Sequence, residues 1–278
     1  MKYALVTDSC CELTEELLES LDAKSVPLRM TLGEKEYVDD GSMDIDGFLK
    51  DIGNAASVPK SSCPSPADFA DAFLAAKGDV VFCVTLSSKL SGSYASARLA
   101  KDIAAEKGKE AHVFDSESAS AGELLTALKI KEFIDAGLGT EEIVAKTEAF
   151  IKTFRTFFVL ENTEIMIKNG RMNAFLGKAL DMLNIRLILG SDGEGNIKLF
   201  SKTRGSQAAM KKLADTVAEN CRDAENSTLV ITHCFNPEGA QQVGKIAGEA
   251  CSFKQAVIRP TGGLSSMYAS RGGIITAF

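Results

Sequence analysis

Small hydroxyl residues cluster at two predicted helix entrances, and they are the residues of this sequence best suited to bind a ligand. Ser91-Gly92-Ser93 comes shortly after the apolar run 80–86, and Ser61 and Ser62 precede a helix that begins near Pro66. The first turn of a helix carries free backbone N–H groups and the positive end of the helix dipole, so it favours an anion. We therefore predict that a carboxylate or phosphate binds here; the alternative is that each serine only caps its helix. The predicted ligand-binding residues are Ser61, Ser62, Ser91, Gly92 and Ser93.

Other ways of using these loops are less well supported by the sequence. Neither the G-x-x-x-x-G-K-[ST] phosphate loop nor the G-x-G-x-x-G dinucleotide turn occurs. A serine hydrolase needs a base beside its nucleophile. The chain has only His112 and His233; we expect His112 at the opposite end of its sheet and His233 at the end of a strand in the second domain. A G-x-S-x-G elbow is also missing.

Metal chemistry and disulfide chemistry are both disfavoured. The seven cysteines contain no C-x-x-C pair, and two histidines offer no ligand spacing. Free thiols fit a reducing compartment. We expect no metal and no cofactor.

Three further side chains are candidates for ligand or partner contacts. Arg171 follows Gly170 in an otherwise neutral turn, and Arg204 stands at a predicted helix start, where the dipole disfavours a cation. Tyr268 lies in a Gly-rich tail, residues 261–273, which reads either as a ligand-lining segment or as a plain loop. A solvated surface charge is the alternative interpretation for each arginine.

Charge and hydropathy exclude several classes of protein. The 278 residues carry a net charge of −7, so nucleic acid and anionic membrane surfaces are poor partners. No run approaches the roughly 18 apolar residues of a membrane span, and the first residues lack the features of a signal peptide. The prediction is a cytoplasmic protein without stable membrane insertion.

The first half of the chain alternates strand, polar loop and helix three times. The strands are 3–7, 80–86 and 111–114, and the loops that follow them are Asp8-Ser9, Ser87–Ser93 and Asp115–Ser120. This rhythm predicts a mainly parallel sheet whose loops share one edge, where ligands of α/β sheets bind. A hairpin is predicted from Ser25–Leu32 and Glu36–Val38, and Ser61–Pro66 is predicted as a loop.

The second half mixes helices with a hairpin around Asp192–Asn196, which is typical of an α+β domain. Helices are predicted at 164–168 and 174–183, and the last strand at 255–258. We predict an N-terminal α/β domain over residues 1–154 and a C-terminal α+β domain over residues 155–278.

In addition, several segments resemble motifs of the DegV family, in order along essentially the whole chain. The segment 86–94, Leu-Ser-Ser-Lys-Leu-Ser-Gly-Ser-Tyr, is similar to the family's serine loop, and 59–65 is similar to its Thr-Ser-Gln-Pro-Ser segment. Further similar segments are Val6–Ser9, Asp115–Ser120, Asn169–Arg171 and Lys202–Gly205. Each motif alone is weak, whereas the ordered set is specific.

The resemblance implies a bacterial fatty-acid-binding protein that is not itself an enzyme. Such proteins hold a long-chain fatty acid such as palmitate, stearate or oleate between two domains, with its carboxylate on two hydroxyl-bearing loops. Some members present the carboxylate to a separate kinase subunit, which forms acyl phosphate for phospholipid synthesis. The possible partners are therefore the fatty acid and a fatty acid kinase subunit.

The resemblance can be carried over to individual residues. Ser61 stands in place of the family's threonine, Ser91 matches its carboxylate-binding serine, and Arg171 matches an arginine near the mouth of the site in kinase-coupled members. Two positions depart from the pattern: Cys63 replaces a glutamine, and Tyr268 stands where a histidine is expected. A serine-dependent esterase or small-anion transferase using the same loops is the alternative function, and a regulatory module with an incidental lipid is a third.

Overall fold

The structure, a computed structural model, describes residues 2–173 and 184–278. The first helices, α1 to α5, are Glu15–Ser20, Ile45–Asn54, Pro66–Ala75, Ser93–Glu106 and Ala121–Asp135. The remaining described helices, α6 to α10, are Thr140–Ile151, Glu164–Lys168, Ser206–Asn220, Pro237–Ala250 and Gly263–Ala269. The strands β1 to β7 are Tyr3–Asp8, Lys24–Val26, Arg29–Leu32, Lys35–Val38, Lys60–Ser62, Val80–Thr85 and Glu110–Asp115. The strands β8 to β13 are Thr156–Val159, Ile185–Ser191, Ile197–Arg204, Thr228–His233, Gln255–Pro260 and Ile274–Ala277.

The first sheet is parallel throughout, as the alternating pattern predicts. Its strand order is β2-β1-β6-β7, and β6 is buried along its whole length. The carboxyl ends of β1, β6 and β7 meet at one edge, where Leu86 N donates to Asp8 Oδ2 (2.9 Å) and Ser87 N donates to Ser118 O (2.8 Å). The three polar loops are therefore tied together into one surface.

The second sheet is mixed and has the order β10-β9-β8-β13-β11-β12. Its β9–β10 hairpin is the predicted one, and Asp192 accepts hydrogen bonds from both Glu194 N and Asn196 N in the turn. The predicted fold class, an α/β part followed by an α+β part, is confirmed.

A small third sheet, β4-β3-β5, corrects two predictions. The predicted arm Ser25–Leu32 is in fact two strands, because Pro27 has no N–H to continue a ladder: β2 pairs with β1, and β3 forms the hairpin with β4. The predicted loop at Ser61 contains the short strand β5, in which Ser61 pairs with Met30 of β3. The helix after it begins as predicted, with Ser65 and Asp68 forming a capping box around Pro66.

The Gly-rich tail is not a plain loop, and the predicted last strand is not the last. Residues 263–269 form α10, which is buried along most of its length, and β13 inserts between β8 and β11 in the second sheet. Strand β13, which follows these glycines, was not predicted. Its four residues are all buried, so they lack the alternation of polar and apolar residues that marks a half-exposed strand.

Helix α5 joins the two larger sheets. It packs against β6 of the first sheet and against β11 and β13 of the second, and it is buried over its first seven residues. One apolar cluster extends through it, from Leu5 and Val84 of the first sheet to Leu187 and Ile275 of the second. The two sheets thus share one continuous core.

Two of the sequence-based predictions are not tested by the described residues. The helix predicted at 174–183 lies outside the described residues, and the domain boundary at residue 154 remains a prediction. Among the helices that the structure describes, none is long and apolar enough to cross a membrane.

Candidate functional site

A cavity of about 300 Å³ lies between the carboxyl edge of the first sheet and the inner face of the second. Loop residues that follow β1, β6 and β7 form one wall, and side chains of β8, β9, β13 and α10 form the other. Its interior is mostly apolar, and its hydroxyl-rich end carries most of the predicted site residues. Representative apolar wall residues are Leu28, Leu86, Phe158, Leu160, Met166 and Ile275.

Ser61 and Tyr268 form one side of the hydroxyl-rich end. Ser61 is held on β5, and its Oγ lies 2.9 Å from the phenol oxygen of Tyr268 on α10. Asn169 Nδ2 donates to the same phenol oxygen at 3.4 Å and to Pro59 O at 2.9 Å. Three segments that are far apart in sequence therefore meet around one pair of hydroxyl groups, and Ser62 lines the cavity beside them.

Ser91 and Gly92 form the other side, at the entrance of α4. Both line the cavity, and the N-terminal turn of α4 begins there. The two loops pack closely at Gly92, because a methyl group at this position would lie 2.9 Å from Cys63 Sγ and the Cys63 side chain would have to turn away. The two predicted serine loops are thus in contact, as a shared anion site requires.

Ser93 differs from the other predicted residues. It is fully buried and does not line the cavity. Its Oγ lies 3.1 Å from Ser91 Oγ, and its N–H donates to Ser91 Oγ (3.2 Å). Ser93 therefore lies behind Ser91 and holds the Ser91 hydroxyl group in place.

Arg171 lines the same end of the cavity. Its Nε donates to Leu90 O in the serine loop (3.2 Å), and its Nη1 donates to Asn169 O (2.6 Å). No acidic side chain among the described residues forms an ion pair with it. Arg171 thus brings a positive charge to the hydroxyl-rich end. Arg204, in contrast, is exposed at the end of β10, outside the cavity wall.

The two histidines lie away from this end. His112 is on β7 and bonds Glu110 (2.8 Å), while His233 ends β11, where its Nδ1 accepts from Asn236 N. Neither lines the cavity. Ser91 therefore has another serine, and no imidazole, as its hydroxyl partner.

A layer of buried carboxyl groups lies beneath the loops, and sequence analysis did not identify it as part of the site. Asp8, Glu12, Asp39 and Glu123 are each less than a tenth exposed. Burial raises the pKa of Glu123 well above its usual range, with the charge of Asp8 adding to the effect, and it raises the pKa of Glu12 to about 7. Within the described ranges, no group of three or more side chains is arranged to hold a metal ion.

Asp39 in this layer has a clear structural task. It accepts from Gly263 N (2.7 Å), Leu264 N (2.9 Å) and Ser9 Oγ (3.0 Å). It therefore anchors the first turn of α10, the helix that carries Tyr268, to the loop after β1. The Asp39-Asp40 pair after a hairpin gave no sequence signal for this contact across 224 residues.

This arrangement can hold an anionic head group joined to an apolar body. Hydroxyl groups, helix N–H groups and one arginine surround the polar end, and aliphatic and aromatic side chains surround the rest. The fold and the cavity together define an α/β protein with an amphipathic cavity between its two larger sheets.

The chain belongs to the DegV family. The model of that family, whose description reads "Uncharacterised protein, DegV family", matches residues 2–275. A DegV domain-containing protein of Streptococcus pneumoniae is 33% identical over 284 residues, covering 100% of this chain and 99% of that protein. The resemblance seen in the short motifs is thereby confirmed over the whole length.

Solved structures of the family have the same fold. A DegV family protein from Ruminococcus gnavus, refined with vaccenic acid, is 38% identical with a TM-score of 0.94 and covers 99% of each chain. The Streptococcus pneumoniae Fatty Acid Kinase B3 protein, loaded with linoleic acid, is 32% identical with a TM-score of 0.93, covering 100% of this chain and 99% of that one. A Eubacterium eligens protein loaded with heptadecanoic acid is 27% identical, with a TM-score of 0.91 and coverages of 99% and 98%.

Proposed function

We propose that this protein is a cytoplasmic, non-catalytic carrier that binds one long-chain fatty acid in the cavity. The observation that carries the proposal is the junction of two hydroxyl-bearing loops at one end of an otherwise apolar cavity. The fatty acids named for the related structures support the same ligand class. Candidate ligands are palmitate, stearate and oleate.

The carboxylate is assigned to the hydroxyl-rich end. Ser61 and Ser91 donate hydrogen bonds to it from opposite sides, and Ser62, Gly92 and Tyr268 complete the pocket. Neutral donors suffice here, because hydrogen bonds to a charged group contribute about 1.5–3 kcal/mol each. The acyl chain fills the apolar part, where each buried CH₂ contributes about 0.8 kcal/mol.

The absence of an imidazole from the wall beside Ser91 supports binding over hydrolysis, since a serine nucleophile needs a base. We assign residues 1–154 and 155–278 to the two domains that enclose the ligand.

The test of this function is native mass spectrometry of the purified protein, followed by solvent extraction of what it carries. We expect one fatty acid per chain. A protein that is empty, and that stays empty after incubation with mixed fatty acids, contradicts the proposal and favours an esterase or small-anion transferase.

Presentation to a kinase subunit is the second part of the proposal, and Arg171 carries it. Its guanidinium group lies at the carboxylate end without an acidic partner among the described side chains, where it can neutralise a transferring phosphoryl group. With a fatty acid kinase subunit and ATP, we expect Arg171→Ala to lower acyl phosphate formation at least tenfold and fatty acid affinity less than threefold. Equal losses would show that Arg171 acts only in binding.

A further inference from the structure

The hydroxyl-rich end of the cavity reaches the surface of the protein. Ser62 and Gly92 line the cavity, and both are exposed to solvent. Arg171 lies at the same end, where its Nε donates to Leu90 O (3.2 Å). A fatty acid whose carboxylate binds here meets the charges that surround this opening.

The segments around the opening differ in charge from the rest of the chain. The hydroxyl-rich end is formed by residues 59–63, 86–95, 168–172 and 264–268. None of the 38 acidic residues of the chain lies in these four segments, although the whole chain has a net charge of −7. The charged residues that they contain are Lys60, Lys89, Lys168 and Arg171. Positive charge is therefore concentrated at the opening of an acidic protein.

Three of these four charges have no acidic partner among the described residues. Lys168 pairs with Glu164 on the same helix. No ion pair joins Lys60, Lys89 or Arg171 to an acidic side chain of the described ranges, and both lysines are exposed. These three charges are thus available to an anion that approaches the opening.

Hydrogen bonds hold the three charged segments together. The backbone oxygen that precedes Lys60 accepts from Asn169 Nδ2 (2.9 Å), and the backbone oxygen that follows Lys89 accepts from Arg171 Nε (3.2 Å). Electrostatic attraction extends over about 10 Å at 0.1 M salt, so it does not require one fixed position of a lysine side chain. Beneath the opening, burial raises the pKa of all four carboxyl groups of the layer, which favours their neutral forms.

We propose that Lys60, Lys89 and Arg171 form a cationic collar that draws the carboxylate of the fatty acid to the opening before the hydroxyl groups bind it. The inference rests on the proposed fatty acid function. The net charge of the protein repels an anionic ligand, and the collar opposes that repulsion close to the opening. Charges at the rim of a site mainly change the association rate and its dependence on salt, whereas buried groups in direct contact change the dissociation rate.

The experiment measures how fast cis-parinarate, a naturally fluorescent long-chain fatty acid, binds to and leaves the delipidated full-length protein, by stopped-flow fluorescence. At 0.1 M salt we expect the association rate constant to fall about fourfold in Lys60→Glu/Lys89→Glu and about twofold in Lys60→Gln/Lys89→Gln, since each charge acts through water over roughly 8 Å. At 1 M salt, where the Debye length is about 3 Å, both differences should vanish. The dissociation rate constants should change less than about 1.5-fold.

Lys2→Glu/Lys107→Glu is the matched control, because it makes the same change in net charge far from the opening. Lys2 precedes β1, whose six residues separate it from the loops by about 20 Å, and Lys107 follows α4, about 21 Å from Ser93. Both lysines are exposed, and neither forms an ion pair with an acidic side chain of the described residues. The association rate constant of the control should stay within about 1.3-fold of the original at 0.1 M salt.

The outcomes separate the collar from the function on which it rests. Unchanged association in the collar variants, or an equal loss in the control, overturns the collar and leaves fatty acid binding intact. A change confined to the dissociation rate constant also overturns it, because the lysines would then contact the ligand directly. If the collar variants do not fold, the original protein decides: an association rate constant that does not fall between 0.1 M and 1 M salt contradicts the collar. Failure of the original protein to bind cis-parinarate overturns the proposed function itself.

Discussion

The hydroxyl-rich end of the cavity and the carboxyl layer beneath it differ in how completely their polar groups are satisfied. At the end of the cavity, Ser61 and Tyr268 bond each other and Ser91 bonds Ser93. In the layer, neither oxygen of Glu123 has a partner among the described residues, nor does Oε2 of Glu12. The carboxyl groups whose pKa values are raised therefore lie beneath the hydroxyl-rich end of the cavity rather than at it.

Among the buried carboxyl groups, a raised pKa does not coincide with a place in the cavity wall: neither Glu12 nor Glu123 lines the cavity. Perturbed pKa values cluster at functional sites, and that rule alone would select Glu123 and Asp8 as the centre. In the proposed carrier, neutral groups that are already hydrogen-bonded suit contact with an anion, because a buried carboxylate would repel the ligand. The acids therefore lie one layer back, where they hold the loops in place: Asp8 accepts from both Cys10 N and Leu86 N.

The largest expected effect comes from Glu12→Gln, which tests the carboxyl layer. Burial raises the pKa of Glu12 from 4.5 to about 7, so the folded protein holds a proton that the unfolded chain releases. The contribution of the protonated Glu12 to the free energy of unfolding is fully present below pH 4.5 and is lost as the pH rises through about 7. Between pH 5.5 and pH 8 the free energy of unfolding of the original protein should fall by roughly 2 kcal/mol more than that of the variant.

The measurement is urea denaturation of both proteins at the two pH values. What is compared is the change in the free energy of unfolding between the two pH values. A packing difference caused by the glutamine amide is the same at both pH values and therefore cancels. If the free energies of unfolding of the two proteins change with pH in the same way, Glu12 titrates normally. The contrast between the hydroxyl-rich end and the carboxyl layer would then be wrong.

The next effect tests the hydroxyl-rich end. Ser61→Ala and Ser91→Ala should each weaken fatty acid binding by about 1 kcal/mol or somewhat more, because each removes one hydrogen bond to a carboxylate. Calorimetric titration with palmitate measures this. Ser88→Ala is the matched control, since Ser88 is exposed on the same loop and does not line the cavity. Unchanged affinity in both variants would place the head group elsewhere.

A smaller effect is expected from Tyr268→Phe. The ring keeps its packing, while Ser61 and Asn169 lose a shared partner, so palmitate affinity should fall by roughly 0.5–1 kcal/mol. The same titration detects this change. A loss larger than that of Ser61→Ala would show that the phenol contacts the carboxylate more directly than the serine does.

Much of the site could be predicted because its parts are local. Ser61 and Ser91 each stand before a helix, Gly92 follows a buried strand, and parallel strands bring their loops to one edge. The short strand β5, the helix α10 and the strand β13 were not predicted, because each depends on a partner distant in sequence. Ser61 is held by Met30, and β13 is held by β8 and β11.

The amino-acid sequence is enough to predict the alternation of strand, loop and helix, the hydroxyl residues at the helix entrances, and membership of the family. These features depend on neighbours within a few residues or on motifs in a fixed order. Packing between distant segments brings Tyr268 to Ser61 across 207 residues, leaves Ser93 out of the cavity wall, and joins Asp39 to the first turn of α10. Those relations follow from how two sheets close around α5. Burial and the pKa values that burial changes are properties of the packed whole, and no short stretch of sequence specifies them.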